Sequence, residues 1–177
     1  MGATVVLAET NGASGSPSET LDISNVNFGS IAQAELNPAT YPITAETDGH
    51  AFEKWLRLYV SALGGSSQLD NIKIWLSNLG GGWKTGEGLS TNMRTSGYSA
   101  ASYPTAGPVE TDSPDADQAM PESEPSGPNL GIGGALSGQI TSAPAYTDWC
   151  VLQLDVTAGT PAGSLNQKTL TFQYDEQ

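Results

Sequence analysis

His50 and Cys150 are the only histidine and cysteine in the chain, so nucleophilic or zinc chemistry would have to run through them. A serine nucleophile needs a base within hydrogen-bond reach, and many hydrolases set that serine in a G-x-S-x-G turn. His50 follows Asp48-Gly49 with no such motif in company, and it reads as an exposed turn histidine. One Cys and one His cannot complete a four-ligand structural zinc site. Cys150 falls on the apolar side of an alternating run, where a buried thiol packs as a small hydrophobe and stays inert.

Carboxylates are plentiful, with 19 Asp and Glu against 6 Lys and Arg. Among so many, some pair will satisfy the separation a glycoside hydrolase requires, so acid pairs discriminate nothing. Six acids crowd between Glu110 and Glu124, a composition that could take a hard cation such as calcium. The run lacks D-x-[DN]-x-[DN]-G spacing and prolines interrupt it, which favours a solvated loop. The stretch GIGGALSG invites comparison with phosphate loops. It has no Gly-Lys-Ser/Thr ending, and Leu136 stands where the third glycine of G-x-G-x-x-G belongs. Four tryptophans, Trp55, Trp75, Trp83 and Trp149, could line a sugar platform. The plainer reading is that a second packed face or a subunit contact covers them. The sequence thus assigns no catalytic residue, no cofactor and no metal ligand, and the chain reads as a non-enzyme.

Charge narrows the partners. A formal net charge of −13 repels a phosphate backbone, so direct nucleic-acid binding is not expected. Lys54, Arg57, Lys73, Lys84 and Arg94 share one stretch, and no further base follows until Lys168. Such asymmetry suits subunits packing acidic face to basic face, beside the simpler reading of a soluble acidic surface. No apolar run approaches the roughly 20 residues of a membrane span. The N-terminus lacks the basic region of a signal peptide, so synthesis as a soluble cytoplasmic chain is expected. A single cysteine excludes an intrachain disulfide, and stability must come from packing.

The elements that would position these residues are strands. Residues 1–19 read as an arm and connector, with Thr4, Val5, Val6 and Leu7 forming a short β segment. That segment would either add to a neighbour's sheet edge or serve as the domain's own first strand. Residues 20–177 read as one domain. Leu56, Leu58 and Val60 alternate with Trp55, Arg57 and Tyr59, a period-2 pattern that favours a strand over Phe52–Ala62 against a competing helix. Ile72, Ile74 and Leu76 alternate with Lys73 and Trp75 in the same way. Residues 85–129 carry little apolar periodicity and read as a long loop, acidic and Pro-rich. Order returns with a Gly-interrupted strand around Leu136 and Ile140. Cys150, Leu152, Leu154 and Val156 then share one face, as do Leu170, Phe172 and Tyr174, and the turn-rich TAGTPAGSLNQ between them suggests a hairpin. The fold expected is all-β, an antiparallel sandwich of Ig-like or jelly-roll type with an extended N-terminal arm.

The succession NVNFGSI, LNPATYPITA, HAFEKWLRLYV, DNIKIWLSN and WCVLQLDVTAGTPAGSLNQKTLTFQYDE resembles small virion structural proteins of tailed bacteriophages. The likeness is strongest over residues 21–78 and 130–177. It implies an Ig-like or jelly-roll module on the particle, assembled in the host cytoplasm. A capsid decoration or cement protein bridging coat subunits is the first role implied. A neck, tail or baseplate accessory and a carbohydrate- or receptor-binding module are the alternatives. The partners implied are other virion proteins, above all the major capsid protein, with a homo-oligomer expected and a trimer among the options. Thr4 to Leu7, Trp55, Arg57, Trp75 and Trp83 are the residues expected to meet partners.

Overall fold

The computed structural model describes residues 1–13, 15–43, 49–95, 97, 118–161, 163 and 166–177. Among them every regular element is a strand: β1 (Thr4–Asn11), β2 (Ser18–Leu21), β3 (Gly49–His50), β4 (Lys54–Ala62), β5 (Leu69–Asn78), β6 (Glu87–Thr95), β7 (Gln118–Ala119), β8 (Ala145–Tyr146), β9 (Trp149–Val156) and β10 (Thr169–Glu176). A large antiparallel sheet runs β2-β1-β4-β9-β6-β7, with β3 paired to β9 and β8 to β4. β5 and β10 form a second, two-stranded antiparallel sheet. The fold is all-β.

Alternation decides which face each strand buries, because successive side chains of a strand point to opposite sides. In β4 it turns Leu56, Leu58 and Val60 inward, and all three are buried. β9 sets Leu56 opposite Cys150 and Lys54 opposite Leu152, so Cys150, Leu152, Leu154 and Val156 join the same interior. Ile72, Ile74 and Leu76 of β5 meet them from the other sheet, with Leu170, Phe172 and Tyr174 of β10 packed alongside. The two sheets share one core face to face, an arrangement consistent with a sandwich. Each fully buried Leu, Ile or Val contributes roughly 1.5–3 kcal/mol of apolar transfer.

One open alternative is decided and three sequence expectations change. Thr4–Leu7 is the domain's own strand: β1 pairs β4 with Val5 opposite Val60 and Leu7 opposite Leu58. Its apolar residues find cross-strand partners at home, so no separate arm is needed. β9 and β10 form no hairpin, because they lie in different sheets. Both turn apolar faces to the interior from opposite sides, and the connector crosses between layers. The stretch read as a loop over 85–129 contains β6, which pairs β9 from Glu87 to Thr95, and the short β7. The rest of that stretch that falls between residues 98 and 117, including the start of the acidic run, lies outside the described residues. Around Leu136 and Ile140 there is no strand, only the bridges Leu69–Ile140 and Ile132–Ala135.

The two flanks of the sandwich differ. On one, Met120 N donates to Leu89 O of β6 and Leu76 N of β5 donates to Pro121 O, so the chain ties one sheet to the other within two residues. On the opposite flank, Ile23 N donates to Leu7 O, extending the β1–β2 ladder. The chain then leaves on an excursion through Ile43. Three anchors hold that excursion: buried Leu36, Phe52 N donating to Gly29 O at 3.0 Å, and Lys54 Nζ donating to Gln33 O at 2.5 Å.

Candidate functional site

Between this excursion and β10 lies a groove of about 1180 Å³. Leu7, Leu152, Leu154 and Val156 of the large sheet form its floor, Val26 and Phe28 one wall and Leu170 the other, and it reaches inward to Leu76 and Leu89. Thr160, Pro161 and Asn166 to Lys168 complete the Leu170 side, and β10 enters it only with Thr169 and Leu170; the hydrogen bonds of β5 show which groups the free edge of β10 presents. Ile72 O, Ile74 N and O, and Leu76 N all turn away from β10, toward Asn129, Leu130 and Pro121. Lys73 and Trp75 therefore turn their backbone groups to β10, opposite Gln173 and Thr171. Backbone direction alternates along a strand, so Leu170 and Phe172 turn N–H and C=O away from β5, and of the two only Leu170 borders the groove. Among the described residues, no backbone group bonds them there.

The chemistry-bearing residues are engaged elsewhere. His50 Nδ1 donates to Asp155 Oδ1 at 2.6 Å, and Ser90 Oγ donates to Asp155 Oδ2 at 2.5 Å. The carboxylate stands between the other two. A serine is activated when imidazole takes its proton, whereas this hydroxyl faces a carboxylate and not the ring. The arrangement ties β3, β6 and β9 together. His50, expected to be an exposed turn residue, is instead half-buried with its side chain 14% exposed. Cys150 is buried, and desolvation pushes its thiol up to about 12, against a smaller opposing pull from Thr91.

The glycine-rich stretch does cradle an anion, but an internal one. Gly134 N donates to Asp148 Oδ2 at 2.8 Å, and Asp148 N donates to Gly131 O. A Cβ at Gly131 would collide with the Asp148 carboxylate, which explains glycine at that position. Burial raises the Asp148 pKa, while the Gly133 and Gly134 amides pull it the other way.

The predicted contact residues scatter. Trp55 is buried on the outer face of the large sheet, edge-on to Trp149 with ring centres 6.1 Å apart. Arg57 lies 3.6 Å above the Tyr146 ring and 4.0 Å above Trp149. Glu19 holds that guanidinium at 2.7 Å and accepts the Tyr146 hydroxyl at 2.9 Å. Trp75 sits half-buried on the outer face of the small sheet. Trp83 donates to Glu122 at 2.6 Å and carries Lys168 Nζ 3.9 Å over its ring. The tryptophans form no common platform. Of the eight predicted residues, only Leu7 and Trp83 border the groove.

Sequence reading missed one buried group altogether. Glu9 and Lys54 form an ion pair at 2.9 Å with neither side chain exposed, and desolvation lowers the Lys54 pKa against the opposing pull of Glu9. Glu9 Oε2 has no hydrogen-bond partner among the described residues. Its one signal in sequence is Glu9 at the core-facing phase of Val5 and Leu7. Among the described residues no three His, Cys, Asp or Glu side chains gather as metal ligands, and no helix is long and apolar enough to cross a membrane.

The chain matches no known protein family, no curated protein and no solved structure. Its function rests on its own geometry.

Proposed function

We propose that this chain is a non-catalytic docking module of a virion, most directly a capsid decoration protein that bridges coat subunits. One observation supports the docking part: the free edge of β10, whose Leu170 and Phe172 backbone groups meet no backbone partner among the described residues. The virion part is supported by the sequence likeness to small phage structural proteins. An Ig-like or jelly-roll connectivity belongs to the same proposal, and the crossing from β9 to β10 between layers is the kind of link Greek-key sandwiches use.

A protein that binds the assembled lattice but not free subunits stabilises that lattice by mass action. Its attachment must be strong on the shell and need no chemical step, which a rigid sandwich with an open edge provides. The test is to purify particles, count copies by quantitative mass spectrometry and locate them by immunogold labelling. Many copies over the shell, with earlier heat release of genome when they are stripped, are the expected result. Labelling confined to the tail would move the chain to the accessory role, and its absence from particles would end the virion reading.

A further inference from the structure

We propose that the buried Glu9–Lys54 pair holds one water molecule, bound between Glu9, Asn11 and Lys54 as a fixed part of the fold. This goes beyond the docking reading and does not rest on it.

The polar atoms at this point balance as a water requires. Glu9 and Asn11 stand two apart on β1, so both side chains leave the same face of the strand. Asn11 Nδ2 donates to Glu9 Oε1 at 3.0 Å. Lys54 Nζ donates to the same oxygen at 2.9 Å and to Gln33 O at 2.5 Å. An ammonium carries three donors, so one N–H of Lys54 is left over. Two acceptors are left over as well. Glu9 Oε2 and Asn11 Oδ1 are both buried, and neither has a hydrogen-bond partner among the described residues. Each belongs to the same carboxylate or amide as an atom of the Asn11–Glu9 bond, so both lie beside that contact. One spare donor and two spare acceptors are the complement of a single water, whose two O–H groups donate and whose lone pair accepts. Buried waters typically make about three hydrogen bonds, to groups the chain leaves unsatisfied.

Two other occupants fail on charge and count. A metal cation would lie against the Lys54 ammonium, and two oxygens fall short of the about six to eight that calcium takes. A proton on Oε2, donated straight to Asn11 Oδ1, would satisfy both acceptors. It would also cancel the charge that holds Lys54 and leave a buried ammonium without its counter-ion. Water satisfies the same atoms and keeps the ion pair. It thereby ties Asn11, the last residue of β1, to the ammonium that pins Gln33 and the excursion.

The experiment reads the water directly on the intact chain. Water-selected cross-relaxation in solution NMR should give cross-peaks of the sign that marks a long-lived water, at the carbon-bound protons of Glu9 and Asn11. A crystal structure should place a water within hydrogen-bond reach of Oε2, Oδ1 and Nζ. Glu9→Leu/Lys54→Met replaces both charges by apolar side chains and should lose the cross-peaks while keeping the fold. Asn11→Ala removes one acceptor and should shorten the residence of the water at least tenfold, read by water relaxation dispersion. Absence of a long-lived water in the wild type, or its persistence in the double variant, would overturn the proposal. A protonated Glu9, read from its side-chain carboxyl chemical shift, would overturn it too, as would density with metal–oxygen distances at the same point.

Discussion

The two flanks of the sandwich solve the same problem in opposite ways. Where β5 ends the small sheet, Asn129 uses its side-chain amide as if it were a peptide unit, with Oδ1 accepting from Ile74 N at 2.8 Å and Nδ2 donating to Ile74 O at 2.9 Å. Asn129 N and Leu130 N both reach Ile72 O. That edge is closed. Where β10 ends the same sheet, the neighbouring excursion offers no ladder among the described residues and is pinned from below by the buried Lys54 ammonium. An edge satisfied by the chain itself needs no partner, and an edge left bare can take one.

The largest expected effect comes from removing the pin. Lys54→Met leaves the Glu9 carboxylate buried without its counter-charge, and breaking a buried pair costs about 3–5 kcal/mol. Urea denaturation should show the loss, and Glu9→Leu/Lys54→Met should be less destabilised than either single variant. If the open flank is held by this pin, amides of the excursion exchange faster in Lys54→Met while Ile74 stays protected. Asn129→Ala attacks the closed flank. It strands the backbone N–H and C=O of buried Ile74, for about 1–3 kcal/mol, and should release protection at Ile72 and Ile74 while the β10 amides that face Lys73 and Trp75 stay protected.

A smaller effect follows from Asp148, beside the closed flank. Its raised pKa means that the folded chain holds this proton more tightly than the unfolded one. The associated stability is therefore fully present below the ordinary carboxylate value, about 3.9, and is lost as pH rises through the raised value. Asp148→Asn does not titrate. The stability of wild type relative to this variant should fall across that window and level off above it, as urea midpoints against pH will show. Last, Cys150 should resist thiol reagents in the native chain, since its thiol is buried and held near 12. Labelling should track global unfolding and quicken in Lys54→Met.

How far the sequence could be read depends on what alternation encodes. It reports that one face is buried and not which strand lies alongside. Leu56, Leu58 and Val60 were therefore legible as a core face, as were Ile72 and Ile74, while the pairing of β9 and β10 was misread. β6 was illegible because, among its described side chains, only the apolar Leu89 and Met93 join the core; Ser90, Thr91 and Asn92 resemble a loop and are ordered by their ladder with β9. Trp55 and Trp75 were placed correctly opposite the aliphatic faces, yet burial of Trp55 and the guanidinium stack over Tyr146 depend on residues distant in sequence. Nothing local announces the groove, whose lining comes from segments far apart in the sequence. The Asp148 cradle could be anticipated only as glycine density at residues 131–134.

The separation of β5 from β10 has a temporal consequence. Asn78 and Thr169, which meet in the small sheet, stand roughly 90 residues apart, and a ribosome adds about 5–20 residues each second. For several seconds of every synthesis, Ile72, Ile74 and Leu76 wait with one strand-side vacant, and a nascent chain in that interval is open to mispairing with its neighbours on the same message.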